Sequence, residues 1–230
     1  MKFAIVSKSS DISNIAKVLS IFDFDIDNNK PDFVITHGGD GTILIAERKY
    51  PGTPKITIRG SDRGFKCNYS ENDLEDVLIK IDNNTYKLKE EMKLLTTFQG
   101  KKYFSLNEVQ IHNSSPIKAI RFSIGMDISW LFEDIIGDGV VIATPFGSSA
   151  YFSSIGGEKF DKGIGIGFNN PYNLRLKPII VDNGFDSEIC IKILRDDGLL
   201  LFDNDENFIK VKGGDEIKIE KSDITAKFVI

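Results

Sequence analysis

Asp32-Phe33-Val34-Ile35-Thr36-His37-Gly38-Gly39-Asp40-Gly41-Thr42 is the stretch on which the fold turns. Phe33, Val34 and Ile35 form an unbroken apolar run, the pattern of a parallel strand covered on both faces. A glycine turn follows, and Thr42 to Lys49 reads as a helix that Pro51 stops. Working outward, Phe3 to Val6 is a short strand. Ile12, Ile15, Ala16 and Leu19 then recur at helical spacing. Downstream, Lys55 to Ile58 is another strand, and a helix over 72–81 puts Leu74, Val77, Leu78 and Ile81 on one face. Asn72 and Glu75 are its expected capping pair. Alternating strands and helices predict an α/β domain over residues 1–88, built on a parallel, Rossmann-like sheet.

Beyond Thr85 the period changes. Short strand-like segments follow one another over 94–98, 103–112, 119–124, 127–132 and 140–143, and again over 177–181, 189–194, 199–202, 208–211, 216–220 and 225–230. Turn pairs such as Gln99-Gly100, Asp197-Gly198, Asp203-Asn204 and Gly213-Gly214 separate them. An all-β C-terminal domain over 89–230 is expected.

Composition narrows the classes. The 230 residues are 41% apolar and 27% charged, with a net charge of -5, so the chain is globular and lacks the clustered positive charge of a nucleic-acid binder. No apolar stretch approaches the roughly 20 residues of a spanning helix, and no signal peptide is visible at the N-terminus. No membrane partner is expected. Cys67 and Cys190, the only cysteines, are far apart and read as reduced thiols of a cytoplasmic protein, with no zinc site.

The chemistry concentrates in the glycine turn. N–H groups at a helix start face outward and favour anions. An aspartate there repels phosphate unless it is a working group, such as one that orients or deprotonates a hydroxyl beside a Mg²⁺-bound phosphate chain. The turn is not a Walker A loop, because no Gly-Lys-Ser/Thr follows. A strand-to-helix turn in which Gly and Asp serve geometry alone is the plainer alternative.

Gly38-Gly39-Asp40-Gly41-Thr42 resembles the GGDGT motif of NAD kinases, which diacylglycerol and sphingosine kinases share. A second stretch, Asp138-Gly139-Val140-Val141-Ile142-Ala143-Thr144-Pro145-Phe146-Gly147-Ser148-Ser149-Ala150-Tyr151, is similar to the DGxxxATPTGSTAY stretch of NAD kinases. Leu106-Asn107-Glu108-Val109 between them resembles that family's LNEV segment. Together they narrow the resemblance to the NAD kinases, over about residues 1 to 220.

The resemblance implies a two-domain enzyme that transfers a phosphoryl group from ATP or polyphosphate, with Mg²⁺ or another divalent cation, to the 2′-hydroxyl of the adenosine ribose of NAD. It implies Asp40 as the catalytic base or orienting group. NAD would be bound by Gly41, Phe65, Asn107, Glu108, Asp138, Ser149, Ala150, Tyr151 and Ser154. Phosphate would be held by Gly38, Gly39 and Thr42, with Arg63 as a contact particular to this chain. A homodimer or homotetramer is implied, with Asp138 serving a neighbouring subunit. No acidic cluster forms a protein cage for the metal, as expected when it rides on the donor.

Plainer readings stand beside these. One of Asn107 and Glu108 would face solvent by strand alternation, Asp138-Gly139 suits a hairpin turn, and Tyr151 suits a half-buried core position. Asp203-Asn204 reads as a turn outside the site. Gly163-Ile164-Gly165-Ile166-Gly167 mimics a dinucleotide fingerprint without a following helix, and His37 and His112 read as structural. The sequence departs from the family at Ile58 to Lys66, where only Gly64-Phe65 matches, and at Phe146 and Ile136. It also ends at Ile230 where relatives often return to the first domain. A lipid kinase and a non-catalytic NAD-binding sensor are the alternative functions. The Thr144 to Tyr151 stretch argues against the first and Asp40 against the second.

Overall fold

A computed structural model describes residues 1–9, 11–60, 64–182 and 187–230. The elements run β1 (Lys2–Ser7), α1 (Ser13–Ile21), β2 (Asp25–Ile26), β3 (Phe33–Gly38), α2 (Asp40–Lys49), β4 (Lys55–Arg59), β5 (Tyr69–Ser70), α3 (Leu74–Asp82) and β6 (Leu88–Glu91). There follow β7 (Leu94–Phe98), β8 (Lys101–Ser105), β9 (Glu108–Asn113), β10 (Ile120–Met126), β11 (Ser129–Gly137), β12 (Gly139–Ala143), α4 (Tyr151–Ser154) and β13 (Ile164–Asn169). The chain closes with β14 (Ile179–Val181), β15 (Ile189–Arg195), β16 (Gly198–Phe202), β17 (Ile209–Val211), β18 (Glu216–Lys221) and β19 (Ala226–Val229).

Two compact units result: residues 1–91 with 224–230, and residues 92–223. In the first, the sheet order is β2-β1-β3-β4-β19-β6, with β5 beside β4. Strands β1 to β5 and β19 pair in parallel, but β6 runs antiparallel to β19, so the sheet is mixed and not all-parallel. Alternation in β1 and β3 sends Phe3, Phe33 and Ile35 to the face packed by Ile15 and Leu19 of α1 and by Leu74, Val77, Leu78 and Ile81 of α3. Ala4 and Val34 meet Ala46 and Tyr50 on the other face. This doubly covered sheet is why residues 33–35 read as a continuous apolar run.

The final strand corrects the expected domain limits. By pattern, residues 225–230 suit the β-rich domain, yet β19 inserts between β4 and β6 of the first sheet. It pairs Phe228 with Lys55 on one side and with Lys89 on the other. The return to the first unit is therefore made by β19 itself. The cap of α3 also differs. Ser70 and Asp73 form a reciprocal capping box on a short 3-10 turn, displacing the Asn72–Glu75 pair.

The second unit packs two six-stranded antiparallel sheets, β11-β10-β15-β18-β7-β8 and β14-β13-β12-β9-β16-β17. Ile120, Phe122, Ile124 and Ile191 from the first sheet share one core with Ile111, Ile142 and Ile166 from the second. The segment 103–112, expected as one strand, is two: β8 ends at Ser105 and β9 starts at Glu108, in different sheets. Asp138 likewise is no hairpin turn, because β11 and β12 belong to different sheets and the residue links them. The Gly163 to Gly167 stretch holds strand β13, whose Gly165 and Gly167 leave room for the Phe152 ring of α4.

Candidate functional site

In the first unit, β3 delivers the glycine turn directly to the N-terminus of α2. Gly39 is the extended N-cap residue, with no side chain to cap the helix, and Asp40 is its first helical residue. A Cβ on Gly38 would stand 2.4 Å from the Thr42 hydroxyl oxygen, so only glycine fits there. That hydroxyl is buried with no hydrogen-bond partner among the described residues, and the Thr42 N–H donates to the Gly39 carbonyl at 2.9 Å. Thr42 thus supports the turn from beneath.

The Asp40 carboxylate accepts the Lys66 N–H at 2.9 Å. The Gly60 N–H donates to the Gly38 carbonyl at 2.9 Å, so the segment after β4 braces the loop from the side. His37 stands between Ser7 Oγ at 3.3 Å and Glu71 Oε1 at 2.7 Å, which fixes the strand end before the glycines. Burial, then the nearby negative charge of Asp40, pushes the Cys67 thiol up from its ordinary value against the pull of Arg59, and so favours the neutral thiol. Phe65 is 83% exposed, an unusual position for a large aromatic side chain. Arg63 lies outside the described residues.

In the second unit the face of β9 turned away from the core carries Glu108, Gln110 and His112 by alternation. Their cross-strand neighbours on β12 are Ala143, Val141 and Gly139, and on β13 Gly165, Gly167 and Asn169 follow in turn. The polar side chains form a chain. Gln110 Nε2 donates to Glu108 Oε1 at 3.2 Å, His112 Nε2 lies 3.1 Å from Gln110 Oε1, and Asn169 Nδ2 lies 3.2 Å from His112 Nδ1. A neutral His112 protonated on Nε2 satisfies both of its contacts. Burial holds its pKa below the ordinary value, against an opposing pull from Asp138. Tyr151, at the start of α4, meets the His112 ring edge-on at 5.7 Å between centroids.

Asn107 and Glu108 are both buried, so neither faces solvent as alternation within one strand would require. Their backbone is held on two sides. Asp203 accepts the N–H groups of Leu106, Asn107 and Glu108 at 2.9, 2.7 and 3.1 Å. Thr144 donates its hydroxyl to the Leu106 carbonyl at 2.6 Å and its N–H to the Asn107 carbonyl at 2.9 Å. Asp138 accepts from Asn113 at 3.2 Å and Asn170 at 2.9 Å, which ties the link between sheets. Ser149 and Ser154 are exposed, and Ala150 and Tyr151 are half-buried.

The family model for the ATP-NAD kinase C-terminal domain matches residues 106–230. An NAD kinase of Thermoplasma acidophilum is 32% identical over 219 residues, covering 93% of this chain and 79% of the relative. One of Thermoplasma volcanium is 33% identical over 218 residues, with 93% and 79% covered. The chain belongs to the NAD kinase family. The crystal structure of an NAD kinase from Archaeoglobus fulgidus in complex with ATP shares the fold, with a TM-score of 0.85 at 24% identity over 99% of this chain and 93% of that one. Neither a lipid kinase nor a binding sensor finds support among these relatives.

Gln110 and Asn169, which shape this region of the NAD kinase chain, are missed by the sequence reading, and His112 and Asp203 are read there only as structural and as part of a turn. Alternation from Glu108 was a usable signal for Gln110. The Asp203-Asn204 turn is present, and what the sequence did not announce is the reach of the Asp203 carboxylate to N–H groups about a hundred residues away. Among the described residues no group of three or more His, Cys, Asp or Glu side chains is arranged to hold a metal, and no helix is long and apolar enough to cross a membrane.

Proposed function

We propose that this chain transfers a phosphoryl group from ATP or polyphosphate to the 2′-hydroxyl of the adenosine ribose of NAD, giving NADP. Its membership of the NAD kinase family supports the reaction class, and one observation carries the catalytic assignment. Asp40 opens α2 with one carboxylate oxygen held by the Lys66 N–H, which orients the group without neutralising it. Asp40 would accept the hydroxyl proton or aim the hydroxyl for in-line attack. Phosphate would be held by the turn at Gly38 and Gly39, with Thr42 supporting it and Arg63 as a further contact.

On the same reading, Asn107 and Glu108 hydrogen-bond the dinucleotide, with Gly41, Phe65, Asp138, Ser149, Ala150, Tyr151 and Ser154 completing its contacts. Asn supplies donor and acceptor together, and a carboxylate accepts from ribose hydroxyls. A divalent cation such as Mg²⁺ neutralises charge on the donor phosphates when bound. The proposal extends to a cytoplasmic enzyme that works as a homodimer or homotetramer.

The test is to incubate the purified protein with NAD, ATP and Mg²⁺ and read NADP with an NADP-specific dehydrogenase, with polyphosphate as the second donor. NADP from the wild type and none from Asp40→Asn supports the reading. An absence of NADP with both donors, while NAD still binds, overturns it. Light scattering on the same sample reads the assembly.

A further inference from the structure

Leu106 and Asn107 lie between β8 and β9, strands of different sheets, and Glu108 only opens β9, so the ladders alone do not satisfy the backbone of this segment. A side chain does the rest. The Asp203 carboxylate takes three consecutive N–H groups, and the Asp203 N–H returns a hydrogen bond to the Glu108 carbonyl at 3.0 Å. With Thr144 on the Leu106 and Asn107 carbonyls, every backbone N–H and C=O of the segment has a partner. Asp203 adopts φ 49°, a left-handed conformation that aspartate tolerates better than most residues. It follows the last residue of β16, where Phe202 pairs with Val109 of β9, so the carboxylate is aimed by a strand already in register with the segment it holds.

Burial pushes the Asp203 carboxyl up from its ordinary value, while the three N–H groups and the charge of Lys93 pull it down. A carboxylate kept at that desolvation cost, in a left-handed backbone, serves more than a turn.

We infer that Asp203 is a positioning residue for substrate binding: it fixes the backbone of residues 106–108 so that Asn107 and Glu108 are presented to the dinucleotide in a preorganised state. This rests on the reading that Asn107 and Glu108 bind NAD. Asp203 touches neither substrate nor reacting atoms in this role. Its loss shows as weaker dinucleotide binding, not as a slower response to the phosphoryl donor.

Asp203→Asn replaces one acceptor oxygen with an NH₂ group that faces N–H donors. It is expected to weaken NAD binding, read by calorimetry, by about tenfold or more. The KM for the donor should stay within about twofold. In the wild-type protein without NAD, hydrogen exchange should show the amides of Leu106, Asn107 and Glu108 as protected as those of β9. That measurement needs no variant to fold. Fast exchange of these amides in the free protein, slowing only with NAD, overturns preorganisation. Asp203→Asn binding NAD as tightly as the wild type overturns the positioning role alone. A wild type that binds no NAD overturns the functional reading and this role with it.

Discussion

One carboxylate oxygen of Asp40 accepts the backbone N–H of Lys66 at 2.9 Å. The contact separates two things that aspartate can do here, shape the loop and act on a hydroxyl. Asparagine keeps the carbonyl oxygen that the Lys66 N–H needs and loses the charge. Asp40→Asn should therefore retain the fold and the unfolding midpoint while kcat falls by about 10²- to 10⁴-fold. Steady-state NADP formation beside a thermal melt checks this. A variant that melts early and loses activity in proportion would assign Asp40 to the loop alone.

The first unit contains an ion pair with little access to water. Lys55 on β4 is 0% exposed and pairs with Glu47 of α2, which is 2% exposed. Lys55 Nζ also donates to the carbonyls of Tyr50 at 2.9 Å and Thr53 at 2.8 Å, so the ammonium is compensated on three sides. Lys55→Met leaves the Glu47 carboxylate buried and should cost about 3–5 kcal/mol of stability by urea denaturation. Adding Glu47→Leu should recover much of that loss. A double variant no more stable than the single one would show that the lysine acts through packing.

The α/β character of the first unit was legible because period and burial agree there. Residues 33–35 are apolar on both faces, and the helices α1 and α3 carry one apolar stripe each. The place of β19 was not legible. Its residues suit either unit, and only pairing with β4 and β6 decides between them. The candidate residues of the two units divided in the same way. Asp40, Asn107 and Glu108 stand in motifs, whereas Asp203 acts through three N–H groups that carry no side-chain signature. His112 looked isolated because its partners Gln110 and Asn169 are neutral amides, outside any metal or triad pattern.

Gly147 tests how closely the loop after β12 must approach the Leu106–Glu108 segment. A Cβ at this position would stand 2.0 Å from the Asn107 carbonyl oxygen. The Gly147 N–H meanwhile donates to the Thr144 hydroxyl at 2.9 Å, so the loop cannot back away without losing that bond. Gly147→Ala should cost about 1–3 kcal/mol of stability. It should also raise the KM for NAD by about tenfold through displacement of Asn107. Kinetics at a temperature well below the variant's melting point keep the two effects apart. An unchanged KM would detach Asn107 from dinucleotide binding.

His112 sets a pH dependence whose sign follows from its burial. Its folded pKa is below the ordinary 6.5, chiefly through desolvation, with Asp138 pulling the other way and Gln110, Asn169 and Tyr151 as its remaining neighbours. Below pH 6.5 the unfolded chain therefore binds a proton that the folded chain refuses, and stability falls as pH drops through that range. The contribution is fully present above the unfolded value. Asp203, with a raised folded pKa, has the opposite sign and is common to wild type and variant, so subtraction removes it. Urea unfolding at steps between about pH 5 and 7 should show a steeper acid loss for the wild type than for His112→Gln. Parallel curves would mean that His112 titrates as it does in the unfolded chain, and that the hydrogen-bonded run from Glu108 to Asn169 does not hold it neutral.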